Sequence, residues 1–163
     1  MAEEIERRGG TAVKLRVGNP FHKEALHRDD AALLAGELSG HIMYREHFGI
    51  DDPLYAALKL IGFLGRSGKR LAEHLQPLAR YAGGGEQRIE TREPAALVEL
   101  ARWRYADASI STVDGITVEY PDWWFNLRPS NTEPVAKLVV EAETQEQLTT
   151  REAALLALFG VDA

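Results

Sequence analysis

The densest group of polar donors in the sequence is a heptad, Arg-Pro-Ser-Asn-Thr-Glu-Pro, at residues 128–134. A guanidinium such as that of Arg128 can hold two oxygens of one phosphate group. The side chains of Ser130, Asn131 and Thr132 would complete the shell of donors, and the two prolines limit the conformations of the segment. The heptad therefore predicts a phosphate-binding loop. A polar turn closed by its own asparagine is the alternative that this segment alone leaves open.

A second group lies at residues 36–41, Gly-Glu-Leu-Ser-Gly-His, directly after a short apolar segment. In extended backbone Glu37 and Ser39 project to the same side, because they are two residues apart. A carboxylate acceptor beside a hydroxyl suits the recognition of neighbouring sugar hydroxyls. The alternative is a glycine-flanked bend with solvated polar residues, and His41 alone is more typical of a structural or surface histidine.

A third group lies at residues 18–23, where Asn19 and Pro20 indicate the start of a helix. The amide groups at a helix N-terminus favour an anion, so Asn19 and Lys23 are further candidates for ligand binding. Simple helix capping explains the segment equally well. No metal site is predicted: Asp51 and Asp52 are interpreted as caps of the next helix. Three histidines without carboxylates at metal-ligand spacing are interpreted as surface residues: His27, His47 and His74.

Composition narrows the classes of function. The chain has 163 residues, a formal net charge of −6 and no cysteine, which excludes disulfides and thiolate chemistry. An acidic chain without a dense basic segment argues against nucleic-acid binding. There is no apolar run of transmembrane length, and the charged N-terminal residues do not resemble a signal peptide, so we expect a cytoplasmic protein without a membrane partner.

The first part of the chain alternates between predicted helices and strands. A helix ends near Arg8, a half-buried strand covers residues 11–17, a helix follows Asn19, a short strand covers residues 31–35, and a longer helix begins at Pro53. Such alternation favours an α/β domain with a parallel or mixed sheet. Glycines 83–85 are the strongest hinge signal, and we divide the chain into residues 1–74 and 75–163.

The second part has a different order of elements. A helix opens at residues 91–94, and strands at 109–113 and 116–120 are joined by Asp114-Gly115, a signal for a two-residue hairpin. Strands at 123–127 and 135–140 flank the heptad, and a capping box at 149–152 precedes a last helix. This order predicts an α+β domain in which helices cover an antiparallel sheet. The three tryptophans are interpreted as core residues: Trp103, Trp123 and Trp124.

Together the heptad and the 36–41 segment resemble the α-D-phosphohexomutases, most closely the phosphomannomutase/phosphoglucomutase group. The heptad, with Phe-Asn-Leu before it and Val-Val-Glu-Ala after it, looks like the phosphate-binding loop of that family's fourth domain. Residues 36–41 look like the sugar-specificity loop of its third domain. The resemblance extends over about residues 2–160, with the spacing between the two loops that the family shows.

The resemblance implies a four-domain enzyme that interconverts hexose 1-phosphate and hexose 6-phosphate. A phosphoserine in the first domain exchanges its phosphate with a hexose phosphate through a hexose 1,6-bisphosphate, and Mg²⁺ is held by an aspartate-rich loop of the second domain. The phosphate that is not transferred would be bound by Arg128, Ser130, Asn131 and Thr132. Glu37 and Ser39 would bind sugar hydroxyls, and His41 would line the site.

The departures from the family pattern determine what this chain is expected to do. It contains no serine loop and no Asp-x-Asp-x-Asp loop, so we expect no catalytic residue and no cofactor-binding group within it. Asn19 stands near a position where the family often has histidine, whereas Asn131 favours mannose or glucose phosphates over glucosamine phosphate. We expect most of an α/β third domain followed by a complete fourth domain, an α+β fold similar to the TATA-box-binding protein.

Such a C-terminal part would bind hexose phosphates and would be inactive alone. The alternative is a stand-alone, non-catalytic phosphosugar-binding or regulatory module. The incomplete third domain would leave a sheet edge or face uncovered, so self-association is also expected.

Overall fold

The computed structural model describes residues 1–130 and 132–160, and the chain divides into two compact units, Met1–Leu78 and Ala79–Ala163. The first unit is the α/β part and the second is the α+β part that the sequence predicts. The division predicted after residue 74, with a separate binding role for each part, stays a prediction.

The first unit contains four α-helices, two strands and two short 3₁₀ turns. The helices are α1 (Ala2–Arg7), α2 (Asn19–Arg28), α3 (Pro53–Ser67) and α4 (Leu71–Leu75), the strands are β1 (Leu34–Gly36) and β2 (Ile42–Tyr44), and the 3₁₀ turns are Arg45–His47 and Gln76–Leu78. α3 begins where the sequence predicts, because the side chain of Asp52 accepts hydrogen bonds from the backbone N–H groups of Leu54 and Tyr55.

β1 and β2 form an antiparallel pair, in which Gly36 lies opposite Ile42. The parallel or mixed sheet that the alternation predicts is wrong for the described residues, because the connection between these strands is far too short for a parallel crossover. The strand predicted at residues 11–17 is also wrong. Its alternating apolar residues need a partner strand, but no described strand pairs with this segment, and Val13 is exposed.

The second unit is a five-stranded antiparallel sheet with two helices. Its elements are β3 (Ala82–Glu90), α5 (Pro94–Arg104), β4 (Ser109–Ser111), β5 (Ile116–Glu119), β6 (Trp123–Pro129), β7 (Val135–Ala142) and α6 (Gln145–Leu158). The strand order is β3-β7-β6-β5-β4, and every neighbouring pair is antiparallel. The predicted α+β fold is therefore confirmed.

The core of this unit follows from the alternation along its central strands. In β6 the side chains of Trp123, Phe125 and Leu127 are buried, whereas those between them are partly exposed. Buried residues of α5 and α6 pack against this face of the sheet. The central strand that carries Arg128 is thus fixed by its own core residues. Trp103, in contrast, is 78% exposed on α5, so its assignment to the core is wrong.

Two local predictions fail for identifiable reasons. Glycines 83–85 lie inside β3, where the register against β7 shifts between Gly83 and Glu86, so they form a bulge instead of a hinge. α6 begins at Gln145 and is capped by Thr144, whose Oγ1 accepts a hydrogen bond from the N–H of Gln147. The predicted capping box is wrong because its threonines lie within the helix and donate to backbone carbonyls one turn earlier.

Candidate functional site

The heptad connects the two central strands of the second unit. β6 and β7 pair up to Pro129 and Ala136, and the connection is closed by the N–H of Ser130, which donates to the carbonyl of Val135 at 2.9 Å. The hydroxyl of Ser130 accepts a long hydrogen bond of 3.4 Å from the N–H of Thr132. Asn131 lies outside the described residues. The loop is therefore held at its base by strand pairing, which leaves Thr132 exposed.

Arg128 lies at the end of β6 and is held by two carboxylates. Its Nη2 donates to Oε2 of Glu86 at 2.8 Å, and its Nε lies 3.7 Å from Oδ2 of Asp114. The side chain is 12% exposed. The guanidinium is thus oriented before any ligand arrives, which lowers the entropy lost on binding.

Glu86 joins Arg128 to a second cation. Lys137 lies opposite Arg128 in the β6–β7 ladder, and its Nζ is 2.7 Å from Oε1 of Glu86. Partial burial raises the pKa of Glu86, but the hydrogen bond from Lys137 and the charge of Arg128 outweigh it, so the pKa lies below its ordinary value of 4.5. Glu86 is therefore ionised at neutral pH, and it keeps two neighbouring cations together.

Asp114 reaches Arg128 because the turn that carries it lies directly against β6. Gly115 has φ +65°, and a Cβ atom there would lie 2.3 Å from the carbonyl oxygen of Leu127 and 2.7 Å from the Cα of Arg128. The side-chain amide of Asn126 donates to the carbonyl of Asp114 at 2.8 Å and holds the turn from the other side. The sequence predicts a two-residue hairpin turn at this Asp-Gly pair and no contact with Arg128. The two-residue length is wrong, because β4 already ends at Ser111 and the connection contains four residues.

The second candidate group is the β1–β2 connection, residues 37–41. The N–H of Glu37 donates to the carbonyl of His41, and the N–H of Gly40 donates to the carbonyl of Glu37, both at 3.0 Å. The hydroxyl of Ser39 donates to Oε2 of Glu37 at 2.9 Å. The two polar side chains therefore lie on one side of the hairpin. Their role in sugar binding stays a prediction.

The carboxylate of Glu37 faces the N-terminus of α2. The N–H of Gly18 donates to Oε1 at 3.3 Å, and Nδ1 of His22 lies 2.9 Å from the same oxygen. The imidazole is not aligned for a good hydrogen bond, so the contact between His22 and Glu37 is electrostatic. The anion expected at this helix N-terminus is therefore a carboxylate of the chain itself.

Sequence reasoning gave His22 no separate role. A signal was present: His22 precedes Leu26 by four residues, so both lie on the buried face of α2. A histidine on an apolar helix face requires a polar partner. Nothing in the local sequence identifies that partner as Glu37, which is 15 residues away.

Asp51 links the other candidates of the first unit. Nδ1 of His41 lies 2.6 Å from its Oδ2, and the side-chain amide of Asn19 donates to the same oxygen at 3.3 Å. Its interpretation as a cap is thus wrong, since only Asp52 caps α3. Lys23 is exposed and forms no ion pair with any described residue. The structure therefore brings Asn19 and His41 together on Asp51.

Two of the three histidines interpreted as surface residues have structural partners. His47 bonds to Asp52 at 2.9 Å and stacks on Tyr55 with ring centroids 4.2 Å apart. Nε2 of His74 lies 2.9 Å from the hydroxyl of Ser67. The surface interpretation is wrong for these two because packing against α3 partly buries both rings. His27 is exposed as predicted.

Within residues 1–130 and 132–160 there is no group of three or more His, Cys, Asp or Glu side chains that could hold a metal ion. The described residues thus do not form a site for Mg²⁺. The resemblance implies that Mg²⁺ is held by another domain. None of the helices in this part of the chain is long and apolar enough to cross a membrane.

Both units match the same protein family. Residues 1–81 match "Phosphoglucomutase/phosphomannomutase, alpha/beta/alpha domain III", and residues 86–158 match "Phosphoglucomutase/phosphomannomutase, C-terminal domain". The chain therefore has the fold of the last two domains of a sugar-phosphate mutase. It consists of an α/β unit followed by this α+β unit, with a polar loop at each candidate site. The chain belongs to the phosphoglucomutase/phosphomannomutase family.

Proteins that are similar to this chain in sequence belong to the same family. The chain is 34% identical over 146 residues to the phosphomannomutase of Methanocaldococcus jannaschii, an alignment that covers 90% of this chain and 32% of the relative. It is 36% identical over 148 residues to the phosphomannomutase/phosphoglucomutase of Pseudomonas aeruginosa PAO1, covering 86% and 31%. The chain thus spans about a third of the length of these relatives.

A solved structure shows the same fold. The crystal structure of a phosphoglucomutase/phosphomannomutase family protein from Burkholderia thailandensis superposes with a TM-score of 0.80 at 29% identity. The match covers 99% of this chain and 36% of that protein.

Proposed function

We propose that this chain binds hexose phosphates as the C-terminal part of an enzyme that interconverts hexose 1-phosphate and hexose 6-phosphate. One observation carries the proposal. Arg128 is oriented at the base of the loop by Glu86 and Asp114, on strands fixed by a buried core. An isolated polar turn would not need a guanidinium held from two sides. Relatives named phosphomannomutase and phosphoglucomutase support mannose or glucose phosphates as the ligands.

The phosphate that is not transferred would contact the oriented guanidinium of Arg128. Ser130, Asn131 and Thr132 would add hydroxyl and amide donors. Each hydrogen bond to a charged phosphate contributes about 1.5–3 kcal/mol, so a few of them give useful affinity after ordering costs. Because the chain has a net charge of −6, the binding energy must come from these local donors.

The sugar would be recognised in the first unit. Oε2 of Glu37 accepts from Ser39 and has a second lone pair for a sugar hydroxyl, while the hydroxyl of Ser39 also accepts hydrogen bonds. His41, oriented by Asp51, would line this site. Asn19 shares the same carboxylate oxygen and is a further candidate for contact with the ligand.

Phosphoryl transfer itself requires a nucleophile and electrostatic stabilisation of the transferred group. We propose that a phosphoserine and Mg²⁺ of other domains provide them, with a hexose 1,6-bisphosphate as intermediate. This chain would then orient the substrate and would not convert mannose 1-phosphate to mannose 6-phosphate alone. Robust conversion by the purified chain would contradict this. The cytoplasmic location stays a prediction.

Isothermal titration calorimetry with mannose 6-phosphate and glucose 1-phosphate tests the binding role. We expect Arg128→Ala to weaken binding at least tenfold, which corresponds to about 1.4 kcal/mol. Arg102→Ala is the matched control, because Arg102 lies on α5 and its ion pair among the described residues is with Glu99, one turn away. Equal affinity of the wild type and Arg128→Ala would show that the loop does not hold the phosphate.

A second candidate function is a stand-alone phosphosugar-binding or regulatory module. It is favoured by the fact that Arg128 and Glu37 are each oriented by residues of this chain. Such a module would bind hexose phosphates at micromolar concentrations without a further domain. Absence of heat and of chemical-shift changes up to millimolar ligand would exclude it.

A further inference from the structure

We infer that His22 is a positioning residue that holds the carboxylate of Glu37 in its binding orientation. The inference rests on the proposed role of Glu37 in recognising sugar hydroxyls. It adds a second residue of α2, besides Asn19, to the site at the hairpin connection. His22 itself would not contact the ligand.

Burial of both partners is the first argument. The side chain of His22 is 6% exposed and that of Glu37 is 8% exposed, and Nδ1 lies 2.9 Å from Oε1. The ring is not aligned for a good hydrogen bond, so the contact is electrostatic, and at this distance an unprotonated Nδ1 would repel the carboxylate. The ring proton therefore belongs on Nδ1, so that the contact is attractive.

The second argument is the shortage of other partners for Oε1. Among the described residues its hydrogen-bond donor is the N–H of Gly18, at a long 3.3 Å. A buried carboxylate without adequate partners is strongly destabilised, and it tends to move toward water. Such a movement would spoil an acceptor for sugar hydroxyls. His22 thus helps the Gly18 amide to keep Oε1 of Glu37 in place.

The third argument is the rigidity of the support. His22 lies on the buried face of α2 with Leu26, which packs against Ala35 of β1 and Met43 of β2. The ring is therefore fixed relative to the hairpin that carries Glu37. Ser39 holds the other carboxylate oxygen, so the two oxygens are fixed from α2 and from the loop.

Two substitutions separate positioning from packing. His22→Leu removes the ring nitrogen and keeps an apolar side chain. His22→Asn keeps a nitrogen donor on Cγ, at the place of Nδ1, and is the conservative control. We expect His22→Leu and Glu37→Gln each to weaken mannose 6-phosphate binding about tenfold in calorimetry, with largely retained affinity for His22→Asn.

The double variant tests whether His22 acts through Glu37. In the Glu37→Gln background, His22→Leu should cause no further loss of affinity, because there is no carboxylate left to position. Affinity for inorganic phosphate, which we assign to the second unit, should be the same in all variants. Additive losses in the double variant would overturn the inference, as would tighter binding by His22→Leu.

The outcomes also separate this inference from the proposed function. If Glu37→Gln binds as the wild type does, the sugar-binding role of Glu37 is wrong. If Glu37→Gln weakens binding but His22→Leu does not, only the inference is wrong.

Amide hydrogen exchange of the free protein tests the positioning role of His22 without any ligand. The Gly18 amide should exchange faster in His22→Leu and at the wild-type rate in His22→Asn. An unchanged rate in His22→Leu would overturn the inference.

Discussion

Replacing Gly115 by alanine should displace the strand that carries Arg128. The backbone at Gly115 has φ +65°, and the added Cβ would lie 2.3 Å from the carbonyl oxygen of Leu127. It would also lie 2.7 Å from both the Cα and the Cβ of Arg128. These neighbours are mostly backbone atoms of a central strand, so they cannot rotate away as the end of a side chain can.

The expected cost has two parts. Holding alanine in the left-handed region costs about 1–2 kcal/mol. Forcing extra volume into a packed site typically adds about 1–3 kcal/mol through shifts of the backbone. We therefore expect Gly115→Ala to lower the free energy of unfolding of the second unit by about 2–5 kcal/mol.

Gly160→Ala is the matched control, because it separates the two parts of this cost. Gly160 has φ +75° in the same unit, but a Cβ atom there would have no neighbour within 4 Å. Its substitution should show only the conformational cost, about 1–2 kcal/mol. Urea denaturation followed by tryptophan fluorescence and circular dichroism measures both variants. Equal losses would refute the reasoning, since the close approach to β6 would then carry no cost.

Three further substitutions, two of them paired with a control variant, test other contacts. Glu86→Gln should make the free energy of unfolding less dependent on pH in the acidic range. The folded-state pKa of Glu86 is lowered from its ordinary value of 4.5, so its stabilisation is present above the unfolded-state pKa and is lost as the pH falls through the folded-state pKa. A wild-type pH profile in the variant would contradict this. Asp52→Ala should cost about 1 kcal/mol by removing the cap of α3, whereas Asp51→Ala should leave helix content unchanged in circular dichroism. Phe125→Ala, at a fully buried position, should cost about 3–5 kcal/mol in urea denaturation, against less than about 0.5 kcal/mol for the exposed Trp103→Ala.

The elements that local pattern defines were predictable. β6 and β7 alternate buried and exposed residues with the period of a strand, and Asp52-Pro53 carries the signal of a helix start. Each depends on neighbours within a few residues, so the sequence contains the whole signal. The position of the heptad between two strands followed from the same alternation, but the predicted strand ends at Leu127, whereas β6 continues through Arg128 to Pro129.

What could not be predicted depends on contacts between distant segments. Residues 11–17 have the alternation of a strand, but a strand also needs a partner with free backbone groups. The glycines at 83–85 suggest a hinge when only their neighbours in sequence are considered. They form a bulge because they pair with β7, which lies far along the chain. The carboxylates that hold Arg128 could not be predicted from the local sequence for the same reason, since Glu86 precedes Arg128 by 42 residues.

The charges around Arg128 show what kind of phosphate site this would be. Arg128 and Lys137 carry two positive charges, while Glu86 and Asp114 carry two negative charges within the same contacts. The cluster as a whole is close to neutral, in a chain whose net charge is −6, so it attracts a distant anion only weakly. Affinity must therefore come from short, directed hydrogen bonds, which are sensitive to the orientation of the guanidinium. If Arg128 binds phosphate as we propose, Glu86 and Asp114 would contribute to its recognition, although both bear its own sign of charge.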